Sequence, residues 1–294
     1  MSVGDLKREL LVRHLETWAP AALHKRRAVY VHGYADADGG ALAEAALRVF
    51  GEQSDLVRGR ELTVLVLGEN TGAVQARLAP VGAPALTVHF VDGGTDARLA
   101  VALKAGGAVR VPLLAFLGAT GTPAPDTIAA LAAGRPAEIL LTLPAGSDAL
   151  AGRRLLRDAG FPLVTAVELA AGEEPGEVLI FGTGLGKSLE GFKETLWAVD
   201  EFAGVRYRDP GDPERHLIDI SLTPHPGPLR RELMAHLSSA GAATVTELRT
   251  FALTETIYRA ADATRVLQTL LGSGAVGRDP AQGRLGGDVL IRPL

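Results

Sequence analysis

Apolar runs and helix-like stretches alternate along the first half of the chain. The runs cover residues 28–31, 61–67, 86–92, 111–117 and 138–143, and each precedes a stretch whose apolar residues recur at helical spacing. Strands that are apolar at nearly every position are typical of sheets buried on both faces. We therefore predict an α/β fold in which parallel strands are joined by right-handed crossovers and covered by helices on both faces.

The segments around this core predict further elements of the same sheet. Leucines at helical spacing over residues 5–18 predict a leading helix, which Pro20 is expected to end. Residues 162–169 and 177–181 predict two more strands, and residues 189–199 predict a helix. Residues 205–208 and 216–222 predict an antiparallel pair at the sheet's edge.

A proline-rich linker over residues 223–228 divides the chain in this interpretation. We predict a Rossmann-like domain over residues 1–223 and a second domain over residues 228–294. The second domain is expected to have helices at 229–238, 244–253 and 260–271, followed by two short strands around a Pro/Gly-rich turn. This order is typical of a winged helix-turn-helix.

Composition restricts the classes of function. The chain has 30 Lys and Arg against 34 Asp and Glu, a formal net charge of -4, so any nucleic-acid contact must come from a local patch. The absence of cysteine excludes disulfides, thiolate metal sites and thiol nucleophiles. No apolar run approaches the roughly 20 residues of a membrane span, and the charged N-terminus lacks a signal-peptide core. We expect a cytoplasmic protein with no membrane contact.

The turn after the first strand has the layout of a nucleotide-cradling βα unit. An apolar run leads into Gly33, Gly39 and Gly40, and a helical pattern follows. Two acids, Asp36 and Asp38, stand where a phosphate-binding loop would present bare backbone amides. The segment is therefore either a cofactor cradle or a structural turn that has lost its ligand.

Two further acids follow the next strands. Glu69 ends the second strand and has the position of a carboxylate that accepts hydrogen bonds from two hydroxyls, although acids at strand ends are common. Asp92 follows the third strand, where Gly93 and Gly94 allow close backbone approach; a solvated turn capped by Thr95 is the alternative.

Four segments, taken in order, resemble the three-Cys-motif partner protein (TcmP) family, bacterial proteins with a methyltransferase-like Rossmann domain and a C-terminal winged helix. They are LVRHLETWAP at 11–20, YVHGYA at 30–35, GFKETLWAVD at 191–200 and FALTET at 251–256. The resemblance implies a class I methyltransferase-like sheet plus a winged helix. It also implies an S-adenosylmethionine (SAM) site built from the first turn, with Gly33 and Asp36, from Glu69 at the ribose and from Asp92 facing the adenine.

The chain departs from the family pattern at the turns that would hold the cofactor. His32 replaces the Asp that begins the family's first turn, and Asp36 and Asp38 replace two of its glycines. The family's Asp-Pro-Phe-Gly after the fourth strand is replaced by residues 118–121, Gly-Ala-Thr-Gly. The resemblance therefore supports the fold more than the reaction.

A second candidate for nucleotide binding lies later in the chain. Residues 181–188 read Phe-Gly-Thr-Gly-Leu-Gly-Lys-Ser, so the loop from Gly182 to Ser188, with Lys187, ends like a P-loop. Phe181 stands where that motif requires glycine. Nucleotide binding by this loop is kept as an alternative.

The histidines and serines offer little further chemistry. Histidines 32, 89, 216, 225 and 236 show no metal-ligand spacing, so we expect no metal site. No serine has the Gly-x-Ser-x-Gly context of a hydrolase nucleophile. His32 is the only catalytic candidate, because it ends the first strand and could act as a base near neutral pH.

The C-terminal segment carries arginines that could contact phosphates. Arg259 and Arg265 lie on the third predicted helix, and Arg278 and Arg284, with Arg292, lie on the hairpin. Nearby acids weaken this surface, and winged helices also dock proteins. Two hypotheses follow: an atypical SAM-dependent methyltransferase, or a catalytically lapsed scaffold that binds nucleic acid or a protein partner, such as a family member or a second copy.

Overall fold

The computed structural model describes residues 2–53, 59–81, 86–170, 172–199, 206–212, 214–218 and 226–294. The helices are α1 (Val3–Leu23), α2 (Ala41–Glu52), α3 (Gly72–Leu78), α4 (Thr95–Ala105), α5 (Pro125–Leu131), α6 (Ala149–Asp158), α7 (Gly186–Ala198), α8 (Pro226–Ala240), α9 (Val245–Glu255) and α10 (Ala260–Gly272). The strands are β1 (Arg27–Gly33), β2 (Glu61–Leu67), β3 (Leu86–Val91), β4 (Leu113–Gly118), β5 (Ala137–Leu143), β6 (Leu163–Ala170), β7 (Glu177–Thr183), β8 (Arg206–Arg208), β9 (Leu217–Ile218), β10 (Ala243–Thr244), β11 (Val276–Asp279) and β12 (Leu290–Pro293).

One large sheet organises the described chain, with strand order β3-β2-β1-β4-β5-β7-β6-β8-β9. The first five strands are parallel to one another. Strand β7 lies antiparallel between β5 and β6, and β8 and β9 extend the edge antiparallel. The mostly parallel α/β sheet predicted from the apolar runs is therefore confirmed, as is the antiparallel edge in its described part.

Two layers of helices bury the two faces of the sheet. Successive side chains of β1 point to opposite faces: Tyr30 belongs to one hydrophobic cluster, with residues of α1, α2 and α7, and Val31 to the other, with residues of α4, α5 and α6. This double burial explains why the strands read as continuous apolar runs instead of alternating ones.

The leading helix is longer than predicted, because Pro20 lies inside α1 instead of ending it. A proline has no N–H, so the carbonyl of Glu16, four residues earlier, loses its helical donor. The side-chain amide of Gln53 donates to that carbonyl at 3.3 Å. A contact from a distant part of the chain thus replaces the missing bond.

The C-terminal elements follow the predicted order, with one strand that the sequence pattern did not show. Helices α8, α9 and α10 precede β11 and β12, and the two-residue β10 between α8 and α9 pairs with β12. Thr244 and Glu247 form the expected capping box of α9. The predicted boundary at 223–228 falls partly outside the described residues, as does His225. Apolar side chains of this unit, including Leu233 and Ile291, join the α1-side cluster of the sheet.

No helix among the described residues is both long and apolar enough to cross a membrane.

Candidate functional site

The predicted cofactor residues meet at one edge of the sheet. The chain runs outward from β1 through β2 to β3 and then returns to β4 on the other side of β1, so the strand order reverses between β1 and β4. Ligands of open α/β sheets bind at such a reversal, beyond the carboxyl ends of the strands. Gly33 ends β1, while Glu69 and Asp92 follow β2 and β3 at the same edge.

Asp38 caps the helix that follows the first turn. Its carboxylate accepts from the backbone N–H of Gly40 and from that of Leu42, both at 2.9 Å. The N-terminus of a helix attracts anions because its first N–H groups lack partners inside the helix. In this chain the anion at the start of α2 is the protein's own side chain.

Asp36 and Asp92 hold neighbouring turns together. Asp36 Oδ2 accepts from the backbone N–H of Glu69 at 3.1 Å, which ties the β1 turn to the β2 turn. Asp92 Oδ1 accepts from both the backbone N–H and the hydroxyl of Thr71 at 2.7 Å. These bonds lower the pKa of Asp92. Both acids therefore have structural partners at the positions where the resemblance implies ligand contacts.

The backbone around Gly33 is closely packed. A Cβ on this residue would lie 2.5 Å from Leu117 Cδ2 and 2.9 Å from Thr95 Cγ2, closer than carbon atoms approach. Tyr34, the next residue, adopts a left-handed conformation with φ of 56°. Such a conformation is strained for a side chain of this size and persists only when surrounding contacts fix it.

Tyr34 has those contacts, and they lie across the edge of the sheet. Its backbone N–H donates to Thr95 Oγ1 at 2.7 Å, and its hydroxyl donates to Asp96 Oδ2 at 2.9 Å. Asp96 also accepts from the backbone N–H of Ala124 and from the hydroxyl of Thr127. The Tyr34 side chain thus links the first turn to the starts of α4 and α5. Burial and the bond to Asp96 raise its pKa.

Glu69 differs from the other predicted ligands. Its side chain is exposed, and among the described residues its carboxylate makes no hydrogen bond or ion pair. The carboxylate lies over Gly94, where a Cβ would be 2.5 Å from Oε1. Of the three predicted cofactor carboxylates, it is the one without a hydrogen bond to the described residues.

His32 is buried at the end of β1, on the α1 side of the sheet. Its Nδ1 is 2.9 Å from the Tyr30 hydroxyl, and its ring stacks on Phe116 with centroids 5.1 Å apart. Burial lowers its pKa to about 4, although Asp38 opposes this shift. Burial therefore favours the neutral imidazole, and the role of His32 as a base stays a prediction.

A cavity of about 270 Å³ lies beside His32, at the carboxyl ends of β1, β4 and β5. Its walls include Lys7 of α1 and Glu177 of β7, joined by a 2.6 Å ion pair. Gly118, Ala119 and Thr120, at the positions where the TcmP pattern has Asp-Pro-Phe, supply no carboxylate. Sequence reasoning missed Lys7 and Glu177, since nothing in the local pattern brings a helix residue at the start of the chain to β7.

The P-loop-like segment lies at the other end of the sheet. Because β7 is antiparallel, its last residue, Thr183, pairs with Glu138 near the start of β5. The loop from Gly182 to Ser188 therefore emerges at the amino ends of the parallel strands, where open α/β sheets do not place their ligands. Lys187 is exposed in the first turn of α7. This geometry does not favour nucleotide binding.

Two of the four arginines that were predicted to contact nucleic acid or a partner make their contacts within the chain instead. Arg259 caps α10, pairs with Asp262 at 2.9 Å and Glu194 at 3.3 Å, and lies over the Trp197 ring at 5.2 Å. Arg278 donates to backbone carbonyls of the hairpin turn, including that of Gly283 at 3.0 Å.

The other arginines of the C-terminal segment that were considered for phosphate contacts are more exposed. Arg265 is exposed and 3.3 Å from Asp262. Arg284 and Arg292 are also exposed, and their side chains make no ion pair with the described residues.

The turn between α9 and α10 is docked on the Rossmann-like body. Buried Lys193 of α7 donates to the carbonyl of Thr256, and Trp197 Nε1 donates to that of Ile257 at 3.2 Å. Asp209 accepts from the Ile257 N–H at 2.8 Å. Glu255, at the end of α9, pairs with Arg153 and Arg157 of α6.

One group of potential metal ligands was not expected from spacing. Potential ligand atoms of Asp212, Glu214 and His216 lie within 4.8 Å of one another. Asp212 already accepts from both the backbone N–H and Nδ1 of His216, which accounts for the close approach.

No protein-family profile matches this sequence, and no curated protein does. Solved structures that are similar to this chain include two O-methyltransferases. The O-methyltransferase TomG of Streptomyces achromogenes, in complex with SAM, is 19% identical, with a TM-score of 0.38 over 62% of this chain and 82% of that one. The O-methyltransferase of Bacillus cereus, in complex with SAH, is 13% identical, with a TM-score of 0.40 over the same shares.

The strand order settles the class of fold. Strands run 3-2-1-4-5-7-6 with the seventh antiparallel, before β8 and β9 are added. This is the fold of a class I methyltransferase. Membership of the TcmP family stays a prediction.

Proposed function

We propose that this protein is a methyltransferase-fold scaffold whose SAM site has become structural, and that it binds a protein partner in the cytoplasm. One observation carries the proposal. The Asp38 carboxylate accepts from the amides of Gly40 and Leu42, which are the groups that a first Rossmann turn presents to its ligand.

The charges of the site argue further against the cofactor. SAM carries a carboxylate together with an ammonium and a sulfonium, and acids that face the carboxylate disfavour it because like charges repel. Asp36 and Asp38 place two carboxylates on the first turn, and the Tyr34 side chain reaches from it to Asp96. Glu69 could still accept hydrogen bonds from the ribose, but this contact alone does not offset the unfavourable first turn. The residues present do not fit SAM as the resemblance implies.

The C-terminal unit supports a binding role. Its helices and its β10-β12-β11 sheet have the order of a winged helix, which we propose as its identity. Arg259 and Arg278 have partners within the chain, which leaves Arg265, Arg284 and Arg292 exposed among the arginines named from the sequence; Arg230 and Arg231 of α8 are exposed as well. A sparse basic surface on a chain of net charge -4 favours a protein partner, a family member or a second copy, over nucleic acid.

Calorimetry with SAM and with SAH tests the loss of the cofactor site. We expect no saturable heat from either compound with the full chain. Micromolar binding that Glu69→Ala abolishes would refute the proposal and would favour the alternative, a methyltransferase with an atypical active site. Glu190→Ala, which removes another exposed acid, is the matched control because it lies on α7, away from the first turn.

A salt titration of gel shifts tests the choice of partner. We expect no shift of duplex DNA or RNA at roughly physiological ionic strength, where screening leaves only dense basic surfaces effective. A shift that is lost in Arg265→Glu with Arg284→Glu, and kept in Arg98→Glu, would instead assign the unit to nucleic acid. Light scattering of the same samples shows whether a second copy is the partner.

A further inference from the structure

The cavity beside His32, called the His32 cavity below, has features of a binding site that the proposed function does not use. Its wall includes His32, Tyr34, Asp38 and Phe116, with the Lys7–Glu177 pair on another side. Its volume of about 270 Å³ lies just below the range of drug-sized ligand sites. It suits one aromatic ring with a polar substituent and is too small for a whole SAM molecule.

The hydrogen bonds around His32 determine which nitrogen carries its proton. Tyr30 is buried, and among the described residues His32 Nδ1 is the one partner of its hydroxyl, at 2.9 Å. An O–H left without an acceptor in such a site is costly. The hydroxyl therefore donates to Nδ1, which places the proton of the neutral imidazole on Nε2.

His32 Nε2–H is then a donor without a partner. The residue is only 1% exposed, and no hydrogen bond to Nε2 is found in the described part of the chain. Nε2 is not among the fully buried side-chain atoms that lack a partner, and His32 lines the cavity. A donor that has no partner in the protein and reaches this space can donate to an acceptor there, from water or from a ligand.

The charges of the wall restrict the ligand. Lys7 and Glu177 neutralise each other at 2.6 Å, and Asp38 adds one negative charge. With His32 neutral, the wall carries a net charge of -1, which disfavours an anion. Phe116 and Tyr34 add aromatic surface against which a planar ring can pack.

We propose that the His32 cavity binds a small, uncharged, planar molecule whose carbonyl or ring nitrogen accepts a hydrogen bond from His32 Nε2. Aromatic amides and free nucleobases belong to this class. The inference does not rest on the proposed function, because the cavity lies between the first turn and α1 whether or not a partner binds the C-terminal unit.

Benzamide is the probe that tests this assignment in the full-length protein. Its titration into protein labelled with ¹⁵N in the histidine rings should shift the Nε2 resonance of His32. We expect an affinity of about 1 mM or tighter, typical of so small a ligand. His89, exposed on β3, gives an internal reference that should not move.

Two related probes distinguish a hydrogen bond donated by His32 Nε2 from nonspecific packing in the cavity. Toluene has the ring without an acceptor and should bind about threefold to tenfold more weakly, the value of one hydrogen bond. Benzoate carries a negative charge and should also bind more weakly than benzamide. Lys7→Met should weaken benzoate further, because it leaves Glu177 unpaired, and should leave benzamide nearly unchanged.

The inference is overturned if benzamide leaves His32 Nε2 unshifted, which means that water alone fills the space. Equal affinity for toluene, or stronger binding of benzoate, overturns it as well. None of these outcomes bears on the loss of SAM binding, which calorimetry tests without these probes.

Discussion

Lys193 offers the sharpest test of how the C-terminal unit is held. Its side chain is 1% exposed, and its ammonium donates to the carbonyl of Thr256 in the α9–α10 turn. Burial lowers its pKa from 10.5 to about 7; Asp209 and Glu255 oppose the shift, and Arg153 adds to it. The folded protein therefore holds this proton more weakly than the unfolded chain does.

The sign and size of the effect follow from proton linkage. Between the folded value of about 7 and the unfolded value of 10.5, the unfolded state binds more protons, so the free energy of unfolding rises with pH. The slope approaches about 1.4 kcal/mol per pH unit for one proton. From about pH 7.5 to about pH 9.5, Lys193 should add about 2 to 3 kcal/mol of stability.

Urea unfolding, followed by far-UV circular dichroism at both pH values, measures this gain. Lys193→Met keeps the length of the side chain and removes the titrating group, so the gain should disappear. Lys187→Met, on the exposed side of the same helix, should keep it. Equal pH dependence in the wild type and in Lys193→Met would refute the reasoning.

Three substitutions test other contacts by their effect on the free energy of unfolding. Gly33→Ala should cost about 1 to 3 kcal/mol, because its Cβ would lie 2.5 Å from Leu117 Cδ2. Asp38→Ala removes the cap of α2 and should cost about 1 kcal/mol. Glu255→Gln leaves the buried guanidinium of Arg153 without its counter-ion and should cost about 2 kcal/mol, less than for a fully buried pair because Glu255 is half-buried.

Matched controls accompany these three measurements by urea denaturation. Gly121→Ala adds a methyl group to open space, Asp126→Ala removes an acid from a helix start where it accepts no capping bond, and Glu190→Gln neutralises an exposed acid. Each should change stability by less than about 0.5 kcal/mol. A test variant that is no more destabilised than its control contradicts the contact assigned to it.

The fold could be predicted because its main signals are local. Burial of β1, β2, β4 and β5 on both faces requires runs such as Leu113–Gly118 to be apolar throughout, and that pattern can be read in the sequence. The length of α1 could not be predicted, because a proline normally ends a helix. Here the side chain of Gln53 donates to the carbonyl that Pro20 leaves without a donor, and the position of Gln53 depends on the packing of α2. The two residues of β10 carry no periodicity at all.

The positions of the acids in the fold could be predicted, and their hydrogen bonds could not. The turns after β1, β2 and β3 indicated where Asp36, Glu69 and Asp92 would gather. Whether an acid faces a ligand or a backbone amide depends on turn geometry, which a single sequence does not reveal. Arg259 shows the same limit, since its partner Glu194 is distant along the chain.

Under the proposed loss of SAM binding, the first turn explains how a methyltransferase fold could persist without a cofactor. A ligand that binds only the folded state stabilises it in proportion to the logarithm of its concentration over its dissociation constant. A chain that loses the ligand loses this stabilisation, and the amides at the start of α2 also lose their anion. Asp38 supplies an anion within the chain, and Asp36 joins the turn to β2 through Glu69. Under the same proposal, the acids of the first turn take the place of the cofactor in stabilising that turn.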